Sequence, residues 1–297
     1  MEERIFKQLY TLVRHLGKTH CFRGKWFSDA AIVTAYLWAI LWDRPVSWAC
    51  QLENWPVQWR WQSLPSPSTM SRRLRTIGVL TLLEQALQAL AELFPSGLCK
   101  LIDSKPLAVS IYSKDREARV GHGCGFPAKG YKIHAIVDAR SRMPDRWILA
   151  PMNRHDAGIA PILIASMPRG NAAYLIGDNA YDSNCLYEKA AEKQCQLLAP
   201  RRPSAKELGR CRHSPHRITG HQRLANPLSV VGQTQSFGQS MLNLRIGIEQ
   251  SFGYMGNIPG GLSPLPNWVR RPRRVALWIA AKMLIVAMRR LITKRLT

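Results

Sequence analysis

Three acidic residues stand out by their setting. Asp103 closes an apolar run in Leu101-Ile102-Asp103-Ser104-Lys105-Pro106, and Asp178 closes another in Leu175-Ile176-Gly177-Asp178-Asn179-Ala180-Tyr181-Asp182. An acid at the carboxyl end of a buried strand sits where α/β sheets place ligands. A turn-forming Asp that caps the next element reads the same way, and it is the recurrence of the setting that points to a site. Glu249 is the only acidic residue from Leu208 to Thr297, among fourteen Lys and Arg. It lies in Leu242-Asn-Leu-Arg245-Ile-Gly-Ile-Glu249-Gln-Ser-Phe252, with Arg245 one helical turn earlier on the same face. An ordinary Arg–Glu pair, worth roughly 0.2–0.5 kcal/mol, is one reading. A metal ligand whose neighbour contacts phosphate is the other.

Three carboxylates brought together need a reason to stay together. Two unit charges ~4 Å apart repel by about 4 kcal/mol at an effective dielectric of 20. Divalent cations reverse that sign, and hard oxygen donors select magnesium or manganese. Two ions ~3.5–4 Å apart activate a water or a 3′-hydroxyl on one side of a phosphodiester and stabilise the leaving oxygen on the other. The positions are 75 and 71 residues apart, so only the fold can assemble them. The expected geometry has Asp103 and Asp178 ending adjacent strands of a mixed sheet, with Glu249 projecting toward them from a helix. The three carboxyl groups should then lie within roughly 4–8 Å of one another, with at least one carboxylate pKa raised.

The elements that must do this are legible in outline. The N-terminal part reads as helices. Ile5, Leu9, Leu12 and Leu16 recur at helical spacing before Gly17, Ser28 or Asp29 caps a helix running to Trp42, and Leu83, Leu87, Leu90 and Phe94 stripe another, closed by Pro95. Seven of the ten tryptophans lie between Trp26 and Trp61; a packed helical core is the favoured reading over base stacking. Ser68 or Thr69 is expected to cap a short helix carrying Arg72, Arg73 and Arg75, similar to a recognition helix that enters the major groove, or else a solvated basic helix. From residue 98 the texture becomes strands: 98–102, the alternating Tyr131–Asp138 run, 147–150, 172–176 and 197–198, with a helix over 186–194. Residues 201–235 show no period and read as a long basic insertion. Helices follow over 238–255 and 274–295. The expected fold is therefore α/β, with an all-helical N-terminal DNA-binding domain over 1–95. The catalytic domain takes 96–297, including the insertion at about 201–235 and the basic C-terminal helix.

Charge narrows the partner. Lys and Arg number 42 against 19 acids, a formal net charge of +23, which favours a polyanion through counterion release. The longest apolar stretches, 30–42 and 275–288, are too short to span a bilayer, so no membrane role is expected. The opening Met1-Glu2-Glu3 is unlike a secretory signal. Seven cysteines without a Cys-x-x-Cys pair suit a reducing cytosol.

Ile102-Asp103-Ser-Lys-Pro, Lys129-Gly-Tyr-Lys132-Ile-His134-Ala-Ile-Val-Asp138, His155-Asp156, Gly177-Asp178-Asn-Ala-Tyr-Asp182 and Arg245-x-x-x-Glu249 follow one another in order across residues 98–256. In this series the chain resembles bacterial insertion-sequence transposases that carry an Asp-Asp-Glu triad on a ribonuclease H-like domain. The resemblance implies Asp103, Asp178 and Glu249 as catalytic metal ligands for two Mg2+ or Mn2+ ions. It implies transposon-end and target double-stranded DNA as partners, a homo-oligomer that synapses two ends, and a bacterial, nucleoid-associated cytoplasmic protein. Many members extend the glutamate motif as Tyr-x-x-Arg-x-x-x-Glu with a later Lys; here Leu242 replaces the Tyr and Gly256 the Lys.

Further basic residues are expected on the DNA path: Lys105, Lys129, Lys132, Arg245 and the run Arg270, Arg271, Arg273, Arg274, with nine bases and no acid from Arg270 onward. Gly121-His-Gly-Cys-Gly125 reads as a flexible loop, since no Lys-Ser/Thr follows as in a P-loop. Cys211, His213, His216 and His221 match no standard zinc spacing. The expected activity is cleavage of transposon-end DNA and transfer of its 3′-hydroxyl to a target. A ribonuclease H-like nuclease that only hydrolyses, and a catalytically silent DNA-binding descendant, are the alternatives.

Overall fold

The computed structural model describes residues 1–17, 26–60, 63–123, 125–202, 213–227 and 235–294. The chain forms two compact units: Met1–Leu93 together with Tyr254–Thr297, and Phe94–Gly253. The first boundary falls within a few residues of the expected one. The C-terminal helix is not part of the compact unit that carries the sheet. It packs instead against the N-terminal helices, for a reason visible in its composition. α10 (Pro272–Lys294) buries residues on every side, from Val275 and Trp278 through Leu284 to Ile292. A helix that is apolar all round must be enclosed, and α1 (Glu2–Gly17), α2 (Asp29–Leu41) and α4 (Ile77–Ala91) enclose it.

In this helical unit α1 turns Ile5, Phe6, Leu9 and Val13 inward, a stripe rotated slightly from the one its leucines suggest. Ser28 caps α2 by accepting from Ala31 N at 3.1 Å. Trp38 is buried, stacked on Trp55 with ring centroids 5.2 Å apart and met edge-on by Phe6 at 4.7 Å. Trp38 and Trp55 are core, not a stacking platform; Trp26, at 99% exposure, and Trp42, at 41%, are exposed, and Trp61 lies outside the described residues. The short basic helix α3 (Pro67–Arg73) starts one turn earlier than expected. Ser66 is its cap, accepting from Thr69 N, with Pro67 at the first helical position where its missing N–H costs nothing. Arg75 therefore lies beyond the helix end.

The second unit is built on a mixed sheet of β1 (Cys99–Ala108), β2 (Arg119–Gly123), β3 (Phe126–Asp138), β4 (Pro144–Pro151), β5 (Tyr174–Ile176) and β6 (Gln196–Leu198). The order is β2-β3-β1-β5-β6, with β4 also on β3. β1, β3 and β4 are antiparallel neighbours, whereas β5 and β6 run parallel to β1. α5 (Asp156–Ala165) and α6 (Asn184–Glu192) cover one face over Ile102, Ile136, Leu163, Tyr187 and Leu197. This is the ribonuclease H-like mixed sheet flanked by helices, preceded by a helical region.

Three local expectations change. Gly121–Gly125 is not a loop throughout: β2 pairs with β3 from Arg119↔Gly130 to Gly123↔Phe126; Cys124 lies outside the described residues. The insertion holds a helix, α7 (Pro215–Ala225). The single helix expected over 238–255 is two, α8 (Phe237–Asn243) and α9 (Ile246–Gly256), with Arg245 at the joint. The joint is a pair of tight turns, Arg245 N on Leu242 O and Gly247 N on Leu244 O.

Candidate active site

Register brings the two aspartates level. β1 and β5 pair in parallel up to Leu101↔Ile176; Asp103 and Asp178 each lie two residues further on. Asp103 does not end its strand as expected. β1 continues to Ala108 because β3 still pairs with it, Asp103 lying opposite Ala135. What ends at this level is the β5 neighbour, and the gap in the sheet beyond Ile176 is the mouth of the site. Asp178 begins a single turn of 3-10 helix over Asn179–Tyr181 and caps it by accepting from Ala180 N at 2.8 Å. Gly177 is required there. A Cβ on it would stand 2.9 Å from the Tyr181 ring and 3.0 Å from Ile102 Cγ2, so only glycine lets Tyr181 fold back onto β1.

The electrostatics show which groups share this space. The Asp103 carboxyl is raised to about 6, by burial first, against the Ser104 N–H that donates to it at 2.7 Å, with the charges of Asp178 and Asp156 adding to the rise and Arg245 opposing it. Tyr181 is driven well above its ordinary range by burial first, then by Asp103, Asp156 and Asp178, with Arg245 opposing. It stays a protonated donor. Its hydroxyl and Arg245 Nε are both buried without a hydrogen-bond partner among the described residues. Two carboxylates thus act electrostatically on a neighbourhood that holds two unsatisfied donors, a setting suited to a cation and an anionic oxygen.

Asp156 and Tyr181 belong to this constellation, and sequence reasoning gave neither a chemical role. His155-Asp156 was visible as a motif, but its placement beside Asp103 depends on α5 docking on the sheet. Asp156 Oδ1 lies 3.3 Å from Lys132 Nζ and 3.4 Å from His134 Nδ1. Burial lowers His134 to about 4, against the pull of Asp156, so it is neutral at pH 7.

Glu249 stands apart from these two in its exposure. It sits in the first turn of α9 and is exposed. Among the described residues no three of His, Cys, Asp or Glu form a group able to hold a metal ion. α9 itself is well placed. A Cβ on Gly247 would stand 3.0 Å from Leu101 Cδ1, on the strand face that also carries Asp103. The positive charge of Arg245 acts on Asp103 and Tyr181; Glu249, one turn on, is exposed. The residues therefore fit a divalent cation as a pair of hard oxygen donors, not as a preassembled triad.

The basic residues divide. Arg72, Arg75, Lys105, Arg271, Arg273 and Arg274 are exposed. Arg73 is committed inward, as it donates to Phe27 O at 2.7 Å and pairs with buried Asp29. Lys132 is buried against Arg154 O and Asp156, Lys129 donates to Ser113 O, and Arg270 Nη1 donates to the carbonyls of Leu265, Pro266 and Val269. Each of these four serves the fold, because a partly buried cation must find acceptors where it lies. Of the suggested zinc ligands, Cys211 lies outside the described residues, while His213 bonds Arg217 at 3.1 Å and His221 bonds Asp182 at 3.1 Å.

In this mixed α/β sheet the strand register thus aligns two carboxylates, and Arg245 lies at the joint between α8 and α9. The chain belongs to the transposase DDE domain family, whose pattern it matches over residues 96–285. No curated protein matches it. Among solved structures it is similar to a piggyBac transposase in a synaptic complex with hairpin DNA. The TM-score is 0.50 and the identity 9%, over 98% of this chain and 73% of that one, a likeness of fold. No helix among the described residues is long and apolar enough to cross a membrane.

Proposed function

We propose that this chain is a DNA transposase that cleaves transposon-end DNA and transfers the freed 3′-hydroxyl into a target. The observation that carries the reading is the alignment of Asp103 with Asp178 beyond the last β1–β5 pair, inside a transposase DDE domain. Asp103 and Asp178 would hold divalent magnesium or manganese, two ions in the full site, and Glu249 is proposed as the third ligand. The metal would supply a polarised phosphoryl oxygen and an activated attacking oxygen. Arg245 and Tyr181 donate to non-bridging oxygens of the scissile phosphate, and Asp156, tied to Lys132 and His134, keeps the local potential negative enough to retain cations. Arg72, Arg75, Lys105, Arg271, Arg273 and Arg274 contact duplex DNA, and two transposon ends are bound by a homo-oligomer.

Asp103→Asn, Asp178→Asn and Glu249→Gln should each abolish metal-dependent cleavage and joining of labelled end DNA, while duplex affinity stays level or rises. Wild-type turnover in any of the three removes that residue from the site. The exposure of Glu249, with Leu242 and Gly256 at motif positions, favours one second reading, a silent DNA-binding descendant. That reading requires wild-type protein to bind end DNA without nicking it in Mg2+ or Mn2+.

A further inference from the structure

The helical unit holds a cavity of about 350 Å³ between the end of α3, the Pro45–Ser47 turn and the start of α10. This volume is at the low end for pockets that enclose small ligands, ~300–1,000 Å³. Its walls are of two kinds. Trp268, Tyr36, Val46, Leu74 and Leu277 make an apolar slot, and Arg75, Arg271, Arg273 and Arg274 line the same space. No acidic side chain lines it. Four arginines lining one space with no carboxylate on the cavity wall make it suited to an anion.

The arginines are held in place by the fold. Arg75 Nε donates to Ser71 O at 2.8 Å and its Nη2 to Ser71 Oγ at 3.4 Å, laying the guanidinium along α3. Arg273 donates to Arg75 O and ties the first turn of α10 to the tail of α3. Arg274 acts electrostatically on Tyr36, whose hydroxyl burial holds far above its ordinary range. Cations prepositioned by backbone acceptors lose little freedom when they bind an anion. A duplex backbone alone would need the arginines and not the slot, because its phosphates and sugars offer no flat apolar ring to fill it. A base does, and an indole is the side chain best suited to stack on one.

We propose that this cavity binds one unstacked nucleotide, with its phosphate on the arginines and its base in the slot against Trp268. The site deepens the transposase reading and rests on it. The nucleotide can come from an unpaired position in a DNA strand or from a free nucleotide; the ring-plus-phosphate chemistry is shared.

The test uses the full chain and fluorescence anisotropy with a labelled single-stranded octanucleotide, the same octanucleotide with abasic positions, and a duplex of the same sequence. Trp268→Ala should weaken single-strand binding by about 5- to 100-fold, the range for one stacked base, and change duplex binding by less than about 2-fold. Trp268→Phe should restore most of the loss, and the abasic strand should bind wild type and Trp268→Ala alike. Ser47→Trp, at an exposed rim position, plugs the slot from outside and should reproduce the loss even where Trp268→Ala perturbs folding. Competition by millimolar dTMP assigns the site to the nucleotide itself; Trp268 dependence without such competition assigns it to a strand. Equal losses on single strand and duplex, or none for Trp268→Ala and Ser47→Trp, overturn the proposal while leaving DNA binding intact. Absence of salt-sensitive binding to any DNA overturns the transposase reading as well.

Discussion

Asp182 supplies the sharpest test of how the turn carrying Asp178 is held. Its carboxylate is fully buried and bound side-on by Arg217, Nε to Oδ1 and Nη2 to Oδ2 at 2.7 Å each. His221 adds a contact at 3.1 Å and Arg202 N one at 3.2 Å. Arg202 also donates to Asn179 O and Ala180 O of the 3-10 turn, so this one carboxylate anchors both the turn after Asp178 and α7. Taken whole, such a buried pair gains little over well-packed apolar residues, because the desolvation of both ions offsets their attraction. Removing one partner is different, since it leaves a buried guanidinium uncompensated, at a cost of about 3–5 kcal/mol. Asp182→Asn should therefore lower the unfolding free energy by that amount in urea titrations followed by circular dichroism. The double variant Asp182→Asn with Arg217→Met should recover a large part of it. Acid sensitivity follows with a definite sign. Although burial opposes it, hydrogen bonds from His221, Arg217 and Arg202 hold Asp182 well below the ordinary carboxylate range. Its contribution is present above the unfolded value of about 3.9 and is lost as pH falls through the folded one. The Asp182→Asn protein should lose stability less steeply below about pH 4 than wild type. A single variant within about 1 kcal/mol of wild type, or a double variant no better than the single, would refute the anchoring argument.

Arg72 and Arg73 are neighbours with opposite expected phenotypes. Arg73→Gln should cost about 3–5 kcal/mol, since it strands buried Asp29, whereas Arg72→Gln should stay within about 0.5 kcal/mol and weaken DNA binding; thermal melts and gel shifts on both variants decide. Gly177→Ala should reduce cleavage by displacing Tyr181 from β1, and unchanged turnover would show that the ring is not part of the site. Duplex affinity should fall roughly 10³-fold or more between 50 and 200 mM salt if six or more phosphates are contacted, and a flat dependence would contradict the nucleic-acid reading.

The sequence alone determined the classes of element and marked the two aspartates as candidates. Apolar runs ending at Ile102 and Ile176 specify strands whatever lies around them, and an acid just beyond such a run has few places to go. The Ser28 cap and the tryptophan cluster were legible for the same reason: their signals are local. Tertiary structure decided what depends on neighbours far along the chain. β1 runs past Asp103 because β3 continues to pair there. Asp156 matters because α5 docks on β3, beside the Asn179–Tyr181 turn. Arg73 and Lys132 were drawn inward by Asp29 and Asp156, and Arg270 by three backbone carbonyls, while Arg72 beside them stayed on the surface. A count of charges cannot separate these, because whether a cation is spent on the fold depends on which acceptor lies within its reach. Glu249 shows the same limit. Its isolation among fourteen basic residues marked it in the sequence. Yet the break at Arg245 divided the expected helix in two, left the arginine where its charge acts on Asp103 and Tyr181, and left the glutamate exposed.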